Sequence, residues 1–465
     1  MSKKINPMIY AAVLYIVGTI VGQGVTFLGT IVFTRVMSRE NYGLYSTYYS
    51  VMAILEVLVG SNLYVSLQNA YIDYKHEVKQ YRKACLFLSS IVCAIISVAV
   101  LGVRAFFFPE VPLYMVLFAL IHAYAFFVVN YRMYCDNMEY AYKKKLLLLV
   151  LPALLQFIFA LCLVINFQAN MLMARIVGSA LGVGVCGLVA YISIMKSSGR
   201  IVIPDYWKYG LAISCPSVMM SLSYMIMQQC DKVMITFFCG AEDTAVYSVI
   251  YYLGYAITAV SQGVGAVFQA WIYRAIDRQE FESVKNVQKW YVILVMAMET
   301  GILMLSPEII KIIAPQEYWQ YEYVGPFVLG ASMMFLYGLY TTIGLFFKRT
   351  GKISMCVLTS ALTNIILNAI LIPQFGAVAA CYTTVASYIL LFFMAKRIGD
   401  KEIQNLYDIK ILYRFMFFSI ISCCVFLMIM NNLTLRILIY GLVLVVLCIY
   451  SGFKAKEIKG FIWKV

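Results

Sequence analysis

The sequence predicts an all-α polytopic membrane protein of about fourteen transmembrane helices, arranged as two six-helix lobes around a central cavity with two further helices at the C-terminal end. Three observations predict it. Residues are 63% hydrophobic and only 12% charged, with mean hydropathy +0.85, against roughly 45–50% and 25% in a soluble domain. Apolar runs of about 20 residues, the length that crosses a bilayer, recur from end to end and leave no stretch for a soluble domain. Finally, segments of the first half reappear in the second.

The runs lie near 9–34, 44–70, 84–106, 113–131, 146–166, 171–195, 209–238, 246–272, 290–306, 324–347, 353–372, 377–395, 411–430 and 433–452. The first follows Lys3 and Lys4 and is too long for a signal-peptide core, so it reads as a retained helix. With the N-terminus placed in the cytoplasm, 29 of the 36 Lys and Arg fall in the inner segments. Only Arg35, Arg39, Arg104, Arg175, Lys232, Lys311 and Arg436 remain for the outer side and the helix interiors. This bias predicts that both termini are cytoplasmic and the helix count is even. It also accounts for the net charge of +14 through topology and anionic lipid, so no nucleic-acid partner is implied.

MSRENYGLYSTYYSV (37–51) echoes CGAEDTAVYSVIYYL (239–253) through Glu40/Glu242, Tyr45/Tyr247, Ser46/Ser248 and Tyr49/Tyr251. LLQFIFALCLVINFQA (154–169) is echoed more weakly by LTNIILNAILIPQFGA (362–377). The expected organisation is therefore an N-lobe over 1–200, a C-lobe over 201–400, and 401–465 holding helices 13 and 14 with a cytoplasmic tail. Parallel repeats with a binding site near their interface are a transporter plan.

Polar side chains at helical spacing mark faces buried in protein or water. Predicted helix 7 carries Ser214, Ser217, Ser221, Tyr224, Gln228 and Asp231; helix 1 carries Thr19, Gln23, Thr26, Thr30 and Thr34, ending beside Arg35. Helix 8 carries Tyr247, Tyr251, Tyr255, Thr258, Gln262 and Gln269, and helix 11 carries Ser360, Asn364 and Asn368. Ser and Thr at such spacing also serve as helix-packing residues, but stripes with several amides and tyrosines point to a polar cavity. A charge at mid-bilayer costs at least about 2.5 kcal/mol, which singles out Glu56 and Glu299. Glu56 reads as a coupling group or a buried structural hydrogen bond, and Glu299 as a partner of a neighbouring helix. Arg35 and Arg175 read as cavity ligands or interfacial anchors. Asp231 ends the helix 7 stripe and suits a coupling or conformational role, whereas Lys232 lies off the stripe, near the outer end, as a snorkelling cation or a phosphate ligand.

Thirteen cysteines are scattered through apolar runs, without disulfide or CxxC patterning. No GxxxxGK[ST] phosphate loop, Ser/His/Asp grouping or metal-ligand spacing occurs, and His76 and His122 offer little acid-base chemistry. Neither catalytic residues nor a cofactor or metal are expected, and transport is the favoured class over enzymology.

TRVMSRENYGLYS (34–46), DKVMITFFCGAEDTAVYSV (231–249), FQAWIYRAI (268–276) and LTNIILNAILIPQFGAVAACYTTVASY (362–388) resemble the polysaccharide biosynthesis flippases, repeat-unit exporters of the multidrug/oligosaccharidyl-lipid/polysaccharide (MOP) superfamily. The resemblance runs through the first twelve helices. It implies two six-helix lobes around a central, often cationic cavity that opens alternately to each side of the cell membrane. It also implies export of an undecaprenyl-diphosphate-linked oligosaccharide to the outer leaflet, beside the glycosyltransferases and glycan polymerase of the same pathway. Arg35 and Asp231 stand where such proteins commonly carry charge.

Each sugar hydroxyl costs about 4–8 kcal/mol to bury unpaired in hydrocarbon, so the head group needs a polar path while the tail stays in the bilayer. Outward movement of an anion down an inside-negative potential is favourable by about 2.3 kcal/mol per charge per 100 mV. The expected ligands are Arg35, Arg175 and Lys232 for diphosphate and Gln23, Tyr224, Gln228, Tyr251, Tyr255, Gln262, Asn364 and Asn368 for sugar, with Glu56 and Asp231 as coupling or conformational groups. The rival readings are a flippase for a peptidoglycan precursor or another polyprenyl lipid, and a drug or cation exporter of the same superfamily.

Overall fold

The computed structural model describes the backbone of residues 7–452 and the side chains from Gly18 to Ile449, except for several within 255–270. Tyr255, Gln262 and the basic termini at Lys3, Lys4 and 454–464 lie outside the described residues. Among the described residues the chain is helical throughout its regular structure. The helices are α1 (Pro7–Val36), α2 (Arg39–Gly60), a two-turn α3 (Ser66–Asp73), α4 (Val78–Phe107), α5 (Leu113–Met138), α6 (Tyr142–Asn166), α7 (Met171–Met195) and α8 (Pro204–Cys239). They continue as α9 (Ala241–Asp277), α10 (Phe281–Ile313), α11 (Val324–Phe346), α12 (Thr350–Phe375), α13 (Val378–Glu402), α14 (Ile409–Ile429) and α15 (Leu433–Gly452). Apart from α3, they follow the fourteen predicted runs in order. Twelve spans among the described residues are long and apolar enough to cross a membrane. The protein is a multi-pass membrane protein.

Several elements outrun their predicted bounds, among them α4, α5, α8, α9, α10 and α13, while the second run, expected to reach 70, breaks after Gly60 and resumes as α3. α8 has 36 residues and α9 has 37, about 54 Å each at 1.5 Å per residue, longer than a bilayer core of about 30 Å. Their polar ends, outside the apolar runs, continue the helices beyond membrane thickness. Pro204 starts α8 where its missing N–H costs nothing. Gly240, at φ 101°, ends it, because only glycine adopts that backbone freely.

The described chain forms two compact units that meet in sequence between Ala245 and Val246. In the first unit α6 packs on α7, α7 on α5, and α2 on both α5 and α8. Gly178 and Gly182, one turn apart on α7, sit so close to the α6 backbone at Ala160 and Gln156 that a Cβ would collide with it. This is the small-residue packing that membrane helices use in place of a hydrophobic driving force. An aromatic cluster of Tyr74, Tyr81, Tyr206 and Tyr209 joins the starts of α4 and α8. In the second unit α13 packs against α11 and α12, and α10 against α14 and α15. Arg436 of α15, 2% exposed, donates to both carboxylate oxygens of Glu308 on α10 at 2.5 and 2.7 Å.

The thirteen cysteines are all free. His122 is buried and hydrogen bonded through Nδ1 to the Tyr48 hydroxyl at 3.1 Å, a packing role.

Candidate functional site

Two polar features of the first unit stand out. The first is a seam along one face of α2. Arg39 ion-pairs with Asp243 at 3.2 Å, joining the starts of α2 and α9, which are the two echoed segments of the sequence. One turn on, Gly43 lies against the Ala241 carbonyl, with no room for a Cβ. A further turn on, Thr47 Oγ1 meets Thr236 Oγ1 of α8, which bonds Thr244 Oγ1 at 2.7 Å. Ser50 Oγ then donates to Gln229 Oε1 at 3.0 Å, and Lys232 Nζ donates to the same oxygen at 3.5 Å. Finally Asn62 Nδ2 donates to the Ser217 carbonyl at 3.3 Å. Positions 39, 43, 47 and 50 recur at steps of three or four, so they share one helix face.

The seam corrects the placement of Lys232. It is 5% exposed and Asp231 3% exposed, so both are enclosed, which removes the snorkelling alternative for Lys232 and leaves that of a phosphate ligand. Helical spacing of about 100° separates neighbours, yet both side chains are enclosed, with Lys232 bonded to the Gln229 amide that Ser50 of α2 also meets.

The second feature surrounds Arg175 at the start of α7. Its guanidinium carbon lies 3.7 Å from the Tyr45 ring centroid, 4.2 Å from that of Phe33 and 4.7 Å from that of Tyr42. Nη1 points at Met37 Sδ at 3.6 Å, while Nε is buried without a hydrogen-bond partner. The Tyr45 hydroxyl is tied to Ser179 Oγ at 2.9 Å, which fixes one wall. Arg175 is 6% exposed, and among the described residues no carboxylate lies within ion-pair distance of it. Three ring faces compensate part of the desolvation; a single such contact is worth about 2 kcal/mol when water is excluded. A planar guanidinium suits such a stack, as a lysine ammonium would not.

The remaining expected residues fall in varied settings. Arg35 is exposed and donates to the Ile31 carbonyl of its own helix at 2.8 Å. Gln23 is exposed, and Tyr224 and Gln228 are half-buried on α8. Glu56 is half-buried and accepts from Asn130 Nδ2 of α5 at 2.5 Å. In the second unit Tyr251 meets the Phe327 ring edge-on at 5.7 Å. Asn364 and Asn368, both fully buried, belong to a chain that pins α12 to α13: Asn368 Nδ2 donates to Asn364 Oδ1 at 3.2 Å, Asn364 Nδ2 to Thr384 Oγ1 at 3.3 Å, and Thr383 Oγ1 to Asn368 Oδ1. Glu299, fully buried, accepts from Ser419 Oγ of α14 at 2.7 Å, the neighbouring-helix partner expected of it. Sequence reasoning missed the ring cage and the seam, because their partners come from helices distant in the chain. Among the described residues no cluster of His, Cys, Asp and Glu is arranged to hold a metal.

A family profile described as "Polysaccharide biosynthesis protein" matches residues 11–268. The chain belongs to the polysaccharide biosynthesis protein family. Its fold is that of MOP superfamily transporters. Over 97% of this chain and 100% of the other, it is similar to the lipid II flippase MurJ in an inward closed conformation, with 16% identity and a TM-score of 0.71. An inward-facing multidrug resistance MATE transporter is similar over 83% of this chain and 98% of its own, with 13% identity and a TM-score of 0.63. A MOP transporter from Pyrococcus furiosus gives 14% identity over 84% of this chain and 96% of its own, with a TM-score of 0.53. No curated protein matches the chain in sequence.

Proposed function

We propose that this protein is a flippase, not an enzyme, that carries undecaprenyl-diphosphate-linked oligosaccharide repeat units from the inner to the outer leaflet of the cell membrane. It would act in surface polysaccharide synthesis beside glycosyltransferases and a glycan polymerase, with both termini in the cytoplasm. The observation that carries this reading is Arg175, a buried cation backed by three rings and facing no carboxylate among the described residues, in a chain of the polysaccharide biosynthesis family. A cation without a protein counter-charge is suited to an anionic ligand, and a diphosphate supplies the missing charge.

On this reading the lobes divide before α8, so the seam of α2 with α8 and the start of α9 is the closed end of an alternating-access pathway. Arg39–Asp243, Gly43–Ala241 and Thr47–Thr236 then separate when the pathway opens at that end. The same rearrangement draws Phe33, Tyr42 and Tyr45 off Arg175 and presents its guanidinium to the head group. Asp231, beside the seam, is the coupling group of this scheme. The polar residues of α8 and α9, among them Tyr224, Gln228 and Tyr251, contact sugar.

The likeness to the lipid II flippase favours a second reading, in which the head group is a peptidoglycan precursor. Depletion separates the two: loss of surface polymer with intact cells supports the repeat-unit reading, and lysis supports the precursor reading. Neutral replacement of Arg35, Arg175 and Lys232 together tests the diphosphate assignment. Export is expected to cease while the protein still accumulates in the membrane; undiminished export would overturn it.

A further inference from the structure

Buried charges in this chain are generally matched. Arg436 has Glu308, Asp136 at 1% exposure has Arg132 at 2.9 Å, and Arg175 has its three rings. Glu299, near the middle of α10, stands apart. It is fully buried, and among the described residues no cation lies within ion-pair distance of it. α11, α14 and α15 pack on α10, and none of them brings a counter-charge. α11 has no charged residue, Lys410 and Arg414 of α14 are exposed, and Arg436 of α15 is held by Glu308, nine residues further along α10. The titratable groups that face Glu299 and its turn of α10 are the Cys423 thiol of α14 and the Tyr440 hydroxyl of α15, which sits against Gly301. Neither supplies positive charge.

Hydrogen bonds do not make up the shortfall. Serine and threonine inside a helix can return their hydroxyl proton to a carbonyl one turn back. Thr300 gives its proton to the Met296 carbonyl at 2.8 Å, and Ser332 of α11, beside the carboxyl, gives its own to the Val328 carbonyl at 3.1 Å. Ser332 therefore turns only lone pairs toward Glu299. Ser419 of α14 is used differently, donating to Glu299 Oε2 at 2.7 Å. Oε1 is buried with no hydrogen-bond partner. An acid enclosed by membrane helices, with one donor on one oxygen and lone pairs facing the other, is short of one positive charge.

We propose that Glu299 is the binding site of a small monovalent cation, a proton or Na+, held at Oε1. The site lies in the second unit, and the inference stands whatever head group the protein carries. A proton bonded to Oε1 makes it a donor toward Ser332 Oγ and leaves the Ser419 bond intact. Na+ would take Oε1 and the same Ser332 lone pairs as ligands. A divalent ion fits poorly, because Ca2+ takes about six to eight oxygen ligands and one carboxylate with two hydroxyls offers fewer. Since these groups come from α10, α11 and α14, the bound cation ties three helices together and its release loosens them.

Glu299→Gln is the deciding variant. Its amide oxygen can accept from Ser419 and its amide N–H can donate to Ser332, as the protonated acid does, but it has no charge with which to bind a cation. The purified full-length protein is melted in detergent over a Na+ series at constant ionic strength, with N-methylglucamine as the replacement, and over a pH series without Na+. If Na+ is the ligand, wild-type Tm rises with Na+; if the proton is, wild-type Tm falls as pH rises. The folding equilibrium should gain about tenfold for each tenfold rise in the bound ion above its dissociation constant. Glu299→Gln is expected to lose that response, and Ser332→Ala to need several-fold more of the ion for the same stabilisation. Equal responses to Na+ and to pH in wild type and Glu299→Gln would overturn the proposal. Should Glu299→Gln fail to fold, Ser332→Ala and Ser419→Ala decide by the same comparison, and unchanged responses in both overturn it. No lipid-linked substrate enters the measurement, so its outcome is independent of the flippase reading.

Discussion

Replacing Gly43 by valine drives a wedge into the seam at its tightest point. A Cβ there would run into the Ala241 carbonyl, and the obstacle is backbone, not the movable end of a side chain. α2 and the start of α9 must therefore part. Overpacking of this kind costs about 1–3 kcal/mol, and the cost falls only on the state in which the two helices touch. The population of that state should drop by about 5- to 150-fold. A reporter lies one turn away, where Thr47 Oγ1 and Thr236 Oγ1 are 2.5 Å apart, within reach of a disulfide between cysteines at those positions. Thr47→Cys/Thr236→Cys protein should crosslink readily under mild oxidation, and transport should stop until the bond is reduced. Adding Gly43→Val should slow the crosslinking by at least fivefold. Crosslinking at an unchanged rate in the Gly43→Val background would show that the seam does not open and close as a unit, and the gating assignment would fall.

Four further outcomes follow from the same geometry. Arg175→Met should abolish export with little loss of thermal stability, since a flexible apolar side chain fills the ring cage, and Arg175→Lys should restore it only in part; wild-type export by Arg175→Met would remove Arg175 from the pathway. Asn368→Ala leaves Thr383 and Asn364 short of partners in a buried chain and should destabilise the second unit by about 1–3 kcal/mol, seen as a lowered Tm in detergent; an unchanged Tm with altered substrate affinity would make the asparagines ligands instead. Glu308→Gln removes the counter-charge of the buried Arg436, which keeps the Met304 carbonyl, and should cost about 1–3 kcal/mol, releasing α15 to protease before the rest of the chain. Arg39→Gln weakens a partly exposed pair with Asp243 and should change stability by less than about 1 kcal/mol; a larger loss would mean that this pair anchors the seam.

The helices were legible because a membrane span is a local property: some 20 apolar residues between charged breaks suffice. Their ends were less so where polar sequence continues the helix, as at Pro204 and beyond the apolar run of α9. The unusual residues were legible too. Arg175, Asp231, Glu56, Asn364 and Asn368 all stand out from an apolar background. Their surroundings did not show, because the rings around Arg175 come from α1 and α2, the partner of Glu56 from α5, and the Ser50 hydroxyl on Gln229, beside Lys232, from α2. Periodicity assigns a side chain to a face of its own helix and is silent on which helix covers that face.

The most direct measurement is transbilayer movement of a fluorescent undecaprenyl-diphosphate oligosaccharide in vesicles reconstituted with the purified full-length protein, read as the fraction of probe reached by an impermeant quencher. The flippase account predicts rapid exposure with wild-type protein and the protein-free rate with either Arg175→Met or the oxidised Thr47→Cys/Thr236→Cys pair, with recovery of the latter on reduction. Movement at the protein-free rate in wild-type vesicles, with the protein folded and correctly inserted, would contradict it.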